Sequence, residues 1–68
     1  MKEVDARGLS CPEPVLLAKA AVEAGDFPVT VLVDDAAPFE NVQRFAVNAG
    51  YQVSTAEIDG GHKITIQK

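Results

Sequence analysis

The single cysteine of the chain lies in a segment whose residue types favour a reactive thiol. Cys11 is followed by Pro12, Glu13, Pro14 and Val15. Proline is common at the first position of a helix, so Pro12 predicts that a helix begins there and that Cys11 immediately precedes it. The first amides of a helix lack internal partners and carry partial positive charge, and a thiol beside them ionises more readily. The sequence therefore predicts a nucleophilic thiolate at Cys11.

The two prolines restrict which amides can support that thiolate. Pro12 and Pro14 have no amide hydrogen, so Glu13 and Val15 are the donors left in the first turn. We expect this helix terminus to hold the pKa of Cys11 below about 8.5, the ordinary value for a thiol. The alternative is a buried, inert cysteine, which is a frequent role for this residue in small domains.

The count of metal-binding and disulfide-forming residues excludes several kinds of site. The chain has one cysteine and one histidine. One cysteine forms no intramolecular disulfide, and one Cys with one His does not complete an ordinary structural zinc site. We therefore expect a reducing, cytoplasmic location and no metal or other cofactor.

Length, composition and charge predict one soluble domain, spanning residues 1–68. The chain has 68 residues, of which 47% are hydrophobic and 24% charged, values typical of a folded protein. Its formal net charge is −4 and its six Lys and Arg residues are scattered, so we expect no direct contact with nucleic acid. The amino terminus resembles no secretory signal, and no apolar stretch approaches the roughly 18 residues of a membrane span.

Hydrophobic patterning and turn residues predict the element order β-α-β-α-β-β. Strands are predicted at 2–6, 28–33, 51–58 and 63–67, and helices at 12–24 and between Asp35 and Gly50. Asp35 is the expected cap of the second helix, and the Gly-rich residues 59–62 are the expected turn of a hairpin. Val42, Phe45, Ile64 and Ile66 are predicted core residues. Two helices on one face of a mixed sheet, an α+β sandwich, would cover these side chains.

A long set of features resembles the TusA-like (SirA/YedF-like) family. The first part is Asp5, then Arg7-Gly8-Leu9, then the Cys-Pro-x-Pro motif that begins at Cys11. The second part, which looks most like the amino-terminal domain of the YedF branch, is Val33-Asp34 followed by Glu40-Asn41-Val42-x-Arg44-Phe45-Ala46 and Gly50-Tyr51. The resemblance covers essentially the whole chain.

The resemblance implies both a fold and an activity. The fold is a two-layer sandwich with strand order 1-2-4-3, in which the fourth strand runs against the others. Cys11 would accept sulfur as a persulfide from a donor protein, namely a cysteine desulfurase, a rhodanese or a sulfur-uptake system. It would then pass the sulfur to an acceptor protein. We expect the carrier itself to be a monomer.

This strand order also predicts neighbours for the thiol, because the ends of the first two strands and the start of the fourth share one edge. The residues expected near Cys11 or a docked partner are Asp5, Arg7, Asp34, Asp35, His62 and Lys63. Arg7 would favour the thiolate, whereas Glu13, Asp34 and Asp35 would oppose it. His62 is expected as a solvated residue at a strand end, and Phe27 and Phe39 as partly exposed rings that could form a docking patch.

Two other functions remain open on the sequence. The first is a non-catalytic protein-binding or regulatory module, redox-linked or selenium-linked, in which Cys11 transfers no sulfur. The second is RNA binding, which is suggested only by analogy with similar folds and is opposed by the net charge of −4.

Overall fold

The structure is a computed structural model that describes residues 2–9 and 13–68. In these residues the elements are β1 (Lys2–Asp5), α1 (Glu13–Ala24), β2 (Val29–Val33), α2 (Ala36–Asn48), β3 (Gln52–Ile58) and β4 (Gly61–Gln67). The predicted element order is confirmed. The expected helix start at Pro12, and the placement of Cys11 before it, lie outside the described residues.

The strands form a mixed sheet in the order β1-β2-β4-β3. β1 and β2 are parallel, and β4 runs antiparallel to both β2 and β3, as predicted. Asp5 pairs with Leu32, and Val33 pairs with His62. The carboxyl ends of β1 and β2 therefore meet the start of β4 at one edge of the sheet.

The core lies between the sheet and the two helices. Alternate residues of the central strands face it, and Val29, Val31, Val33, Ile64 and Ile66 are fully buried. From the helices, the buried residues are Pro14, Ala18, Ala21, Val22, Pro38, Val42 and Ala46. Full burial of a Val or Ile side chain contributes roughly 1.5–3 kcal/mol, so these strands hold the sandwich together. The prediction of Val42, Ile64 and Ile66 as core is confirmed, and Phe45 packs against them half-buried.

Helix α2 begins at the predicted cap. Asp35 has extended backbone angles (φ −140°, ψ 158°), and its Oδ1 accepts a hydrogen bond of 2.8 Å from the amide of Ala36. At the other end, the amides of Ala49 and Gly50 donate to the carbonyls of Phe45 and Val47 at 3.0 Å. The cap fixes where the chain leaves β2 and turns into the helix layer.

The hairpin between β3 and β4 is tighter than the sequence predicts. Its turn is Asp59-Gly60, and Gly61 already pairs with Ile58 in the ladder. The assignment of Gly61 and His62 to the turn was therefore wrong. A Cβ on Gly61 would overlap the backbone carbonyl oxygen of Val33, so glycine is required here by a close approach of β4 to β2.

Candidate functional site

A bidentate ion pair shapes the chain where β1 ends. The Arg7 guanidinium donates from Nε to Oδ1 of Asp5 at 2.9 Å and from Nη2 to Oδ2 at 3.0 Å, and the Arg7 amide donates to Oδ1 at 3.2 Å. Hydrogen bonds from the side chain and backbone of Arg7 lower the pKa of Asp5 to about 2. Both side chains are about half exposed, so the pair mainly fixes local conformation.

The next residue is tied to the neighbouring strand. The Gly8 amide donates to both carboxylate oxygens of Asp34, at 3.1 and 3.0 Å. Gly8 has φ 80°, a left-handed conformation that favours glycine. Asp34 directly follows β2, so its carboxylate joins the turn after β1 to the end of the adjacent strand.

The segment on either side of the predicted nucleophile is anchored in the core. Ala6 is fully buried and its amide donates to the carbonyl of Leu32 at 2.8 Å. Leu9 packs half-buried against the core, and its amide donates to the carbonyl of Ala6 at 3.3 Å. On the helix side, Pro14 is fully buried while Glu13 is exposed and Val15 is half-buried. In the sequence, residues 10–12, which include Cys11, therefore lie between two anchored positions.

Arg7 is surrounded by carboxylates. The hydrogen bonds that Arg7 donates to Asp5 raise the pKa of Arg7, and so do the charges of Asp5, Asp34 and Glu3. The sequence assigns Arg7 to stabilising a thiolate by its charge. Because Arg7 is paired with Asp5, the two side chains together carry no net charge. The role that the structure shows for Arg7 is to fix the turn through its hydrogen bonds to Asp5.

His62 lies on the helix side of the sheet. Its ladder partner Val33 is buried, and the imidazole stacks on the ring of Phe39 with centroids 4.1 Å apart and planes inclined by 19°. The side chain is half-buried, so His62 at this strand end is less exposed than the sequence predicts. Phe27 similarly pairs with Tyr51, at a centroid distance of 5.3 Å. Both phenylalanines thus pack against another ring of this chain.

The predicted neighbours divide into three groups. Asp5, Arg7 and Asp34 hold the turn after β1, and the charges of Asp5 and Asp34 both raise the pKa of Arg7. Asp35 and His62 contact α2, through its first amide and through the Phe39 ring. Lys63 pairs with Leu32 and so belongs to the face of the sheet away from the helices.

Sequence reasoning missed the hydrogen bond between Asp34 and Gly8. Signals for it were present, since each residue follows the end of one of two parallel strands and such ends meet at one edge of a sheet. The contact of Asp5 with Arg7 was also missed, although Arg7 stands two residues after Asp5 and just beyond the strand. The sequence separation of Asp34 from Gly8, or of Arg7 from Asp5, does not specify which donor each carboxylate binds.

Residues 2–9 and 13–68 hold neither a metal-binding cluster nor a helix that could span a membrane. These residues include no group of three or more His, Cys, Asp and Glu side chains placed to hold a metal ion. No helix formed by them is both long and apolar enough to cross a membrane.

Comparison with known proteins identifies the family. The sequence model of the sulfurtransferase TusA family matches residues 2–68. A proposed sulfur carrier protein of Methanocaldococcus jannaschii is 41% identical over 71 residues, covering 100% of this chain and 95% of that protein. The crystal structure of a SirA-like protein from Desulfitobacterium hafniense is 40% identical with a TM-score of 0.88, covering 97% of this chain and 95% of the other. The chain therefore belongs to the TusA sulfurtransferase family, as its motif predicts.

Proposed function

We propose that this protein carries sulfur as a persulfide on Cys11 and passes it to an acceptor protein. The observation that best supports the proposal is the turn held by Asp34. Its carboxylate fixes the Gly8 amide three residues before Cys11, in a chain of a sulfurtransferase family. A carrier needs a nucleophile presented in a defined place but no deep substrate cavity of its own.

The proposed reaction is two successive exchanges at sulfur. The Cys11 thiolate attacks the outer sulfur of a donor persulfide, a new S–S bond forms, and the donor cysteine leaves as a thiolate. A nucleophile of the acceptor then attacks the outer sulfur on Cys11, and Cys11 leaves as a thiolate. Each step makes one bond to the transferred sulfur and breaks one, so the carrier needs no external oxidant or reductant.

The residues around the turn would serve this exchange by positioning. Asp5 fixes Arg7, Asp34 fixes Gly8, and buried Pro14 anchors the far side of the segment. The amides of Glu13 and Val15 would face the sulfur if α1 extends to Pro12 as the sequence predicts. An ordered approach to Cys11 favours transfer, since attack on a disulfide-type sulfur requires aligned partners.

The proposed sulfur carrier would work between two partner proteins in the cytoplasm. The donor would be a cysteine desulfurase, a rhodanese or a sulfur-uptake system, and the acceptor another protein. The single cysteine fits a reducing cytoplasm, where it would stay a thiol between transfers. The protein would act as a monomer, and its assignment to the YedF branch remains a prediction.

Intact-mass measurement tests the loading step. Purified protein is incubated with a persulfide donor and compared with the Cys11→Ser variant. We expect the wild type to gain about 32 Da for each sulfur and the variant to gain nothing. A reducing agent should reverse the gain. An unmodified wild type, or equal modification of the variant, would contradict the proposal and favour a binding module that transfers no sulfur.

A further inference from the structure

Among the described residues, no strand pairs with the outer edge of β1. β1 is at one end of the sheet order, with β2 as its neighbour among the described residues. The amides of Lys2 and Ala6 donate inward to the carbonyls of Pro28 and Leu32, at 3.1 and 2.8 Å. Backbone groups alternate in direction along a strand, so those of Glu3 and Asp5 face outward. Such an edge can accept another strand.

Helix α1 extends an apolar stripe beyond this edge. Leu17, Ala20, Ala21 and Ala24 recur at helical spacing and line a groove of about 490 Å³ together with Val4 of β1. Leu17 is 39% exposed, and Ala20 and Ala24 are also exposed, whereas Ala21 is nearly buried. The stripe runs beside β1, so the side chains of an added strand that point toward the helix layer would meet it.

The charges around the groove select among possible occupants. Glu3 and Asp26 line it and Lys2 is its basic member, while Asp5 is neutralised by Arg7. A second copy pairing antiparallel through this edge would have to keep residues of the same face opposite each other. The register that centres the pairing on Glu3 sets Glu3 against Glu3, and like charges directly opposite each other are destabilising. A basic segment of another protein avoids the repulsion.

We propose that the β1 groove binds an extended segment of a partner protein, which adds to the sheet as a strand beside β1. Apolar side chains of the segment would contact the α1 stripe, and Lys or Arg side chains on its other face would lie near Glu3. This inference goes beyond sulfur transfer and does not depend on it. Because β1 leads into the Asp5–Gly8 turn, the docked segment would end beside that turn.

The opposite edge of the sheet provides an internal comparison. β3 is longer, with seven residues, but its exposed side chains are mostly polar, namely Gln52, Ser54, Thr55 and Glu57. An added strand would find few apolar contacts there. Binding through backbone groups alone would not distinguish the edges, whereas binding that uses the α1 stripe would select β1.

A peptide of about eight residues that alternates Val and Lys is a direct probe of this surface, with a Val and Glu peptide of equal length as its control. Amide NMR should show the Lys peptide shifting the signals of Glu3, Asp5, Leu17 and Ala20. The amides of Glu3 and Asp5 should also exchange with solvent more slowly. The Glu peptide should bind much more weakly, and added salt should weaken the Lys peptide.

Two substitutions test the contacts. Ala20→Arg fills the groove and adds a positive charge at an exposed helix position, so it should weaken the Lys peptide by about 10-fold or more. Glu3→Pro removes an outward amide and an acidic charge, so it should also weaken binding of the Lys peptide. Proline is tolerated on an edge strand, so the fold should persist. Val47→Arg introduces the same residue at an exposed apolar position of α2 and should leave binding unchanged. Circular dichroism and thermal unfolding check that each variant is folded.

Several results would overturn the proposal. They are shifts mapped to β3, equal binding of the Glu peptide, undiminished binding to folded Ala20→Arg, or self-association of the protein through β1. Loading of sulfur onto wild-type Cys11 is measured on the same preparation. Intact loading without peptide binding would reject the docking surface alone, while peptide binding without loading would reject the sulfur-carrier proposal alone.

Discussion

Asp34 accepts the amide hydrogen of Gly8 with both carboxylate oxygens, at 3.1 and 3.0 Å, although 26 residues separate them in the sequence. The contact joins the turn after β1 to the end of β2. Its neighbour Asp35 has a different role, because Oδ1 of Asp35 caps helix α2. Two adjacent aspartates thus fix two different segments at one edge of the sheet.

Replacing Asp34 by alanine should loosen the turn before Cys11. Loss of this charged hydrogen bond at an exposed position should lower the free energy of unfolding by about 1 kcal/mol. The Gly8 amide should exchange faster, and sulfur transfer from Cys11 should slow. Urea unfolding, amide exchange and intact-mass kinetics measure the three effects.

The Asp35→Ala variant is the matched control for that change. It removes a helix cap and should lower the free energy of unfolding by about 0.5–2 kcal/mol. Exchange of the Gly8 amide, measured under conditions where the protein stays folded, should remain that of the wild type. If Asp34→Ala leaves Gly8 as protected as Asp35→Ala does, the proposed anchoring of the turn is wrong.

Replacing Arg7 by glutamine should raise the pKa of Asp5 from about 2 toward its ordinary value of 3.8. The Asp5 pKa is lower in the folded protein than in the unfolded chain. Its contribution to stability is therefore present above pH 4 or so and is lost as the pH falls toward 2. The variant should lose less stability than the wild type across this range.

NMR titration of the side-chain carboxyl carbon of Asp5 measures this pKa shift directly, and acid unfolding measures the resulting change in stability. Arg44→Gln is a suitable control because it removes an arginine from α2 and leaves the Asp5 contacts in place. A wild-type titration midpoint near 3.8 would show that the ion pair does not persist in solution.

Adding a methyl group at Gly61 should destabilise the sheet. The new Cβ would overlap the Val33 carbonyl oxygen and lie 3.2 Å from Cα of Asp34, so the backbone of β2 or β4 must move. We expect Gly61→Ala to lower the free energy of unfolding by about 1–3 kcal/mol, as overpacking does in other proteins. Thermal or urea unfolding provides the measurement.

Gly60→Asn separates this steric effect from general intolerance of the hairpin. Gly60 has φ 79°, and a Cβ at this position would meet no atom within 4 Å in the described part of the chain apart from its chain neighbours. Asparagine adopts such angles more readily than most residues. Its loss of stability should be smaller than that of Gly61→Ala. The reverse order would mean that turn conformation, rather than contact with Val33, determines the need for glycine.

The element order could be predicted because both ends of most elements carry clear signals. Asp35 and Gly50 bracket α2. In β2, residues 29–33 are rich in strand-forming side chains, and buried and half-buried residues alternate there because one face of the strand is fully buried. The strand order came from the family resemblance, which carries information that composition and spacing lack. The extent of β4 was misjudged, since glycine predicts a turn while Gly61 is in the ladder to permit a close approach.

The site was predictable at the level of which residues share an edge. Parallel pairing of β1 with β2 brings Asp5 and Asp34 to the same end of the sheet, and this follows from topology. Which donor each carboxylate binds depends on side-chain geometry, which hydrophobic periodicity does not encode. Asp5 binds Arg7, two positions away in the sequence, and Asp34 binds Gly8, 26 positions away. The stacking of His62 on Phe39 similarly depends on which face of β4 the histidine occupies.

The most direct test of the account follows one sulfur atom from carrier to acceptor. Wild-type protein loaded with sulfur is freed of donor, mixed with a protein thiol acceptor and followed by intact mass over time. We predict that the carrier loses about 32 Da as the acceptor gains the same mass, and that proteolysis places the original sulfur on the peptide containing Cys11. Sulfur that stays on the carrier, or that resides on a peptide without Cys11, would contradict the central claim.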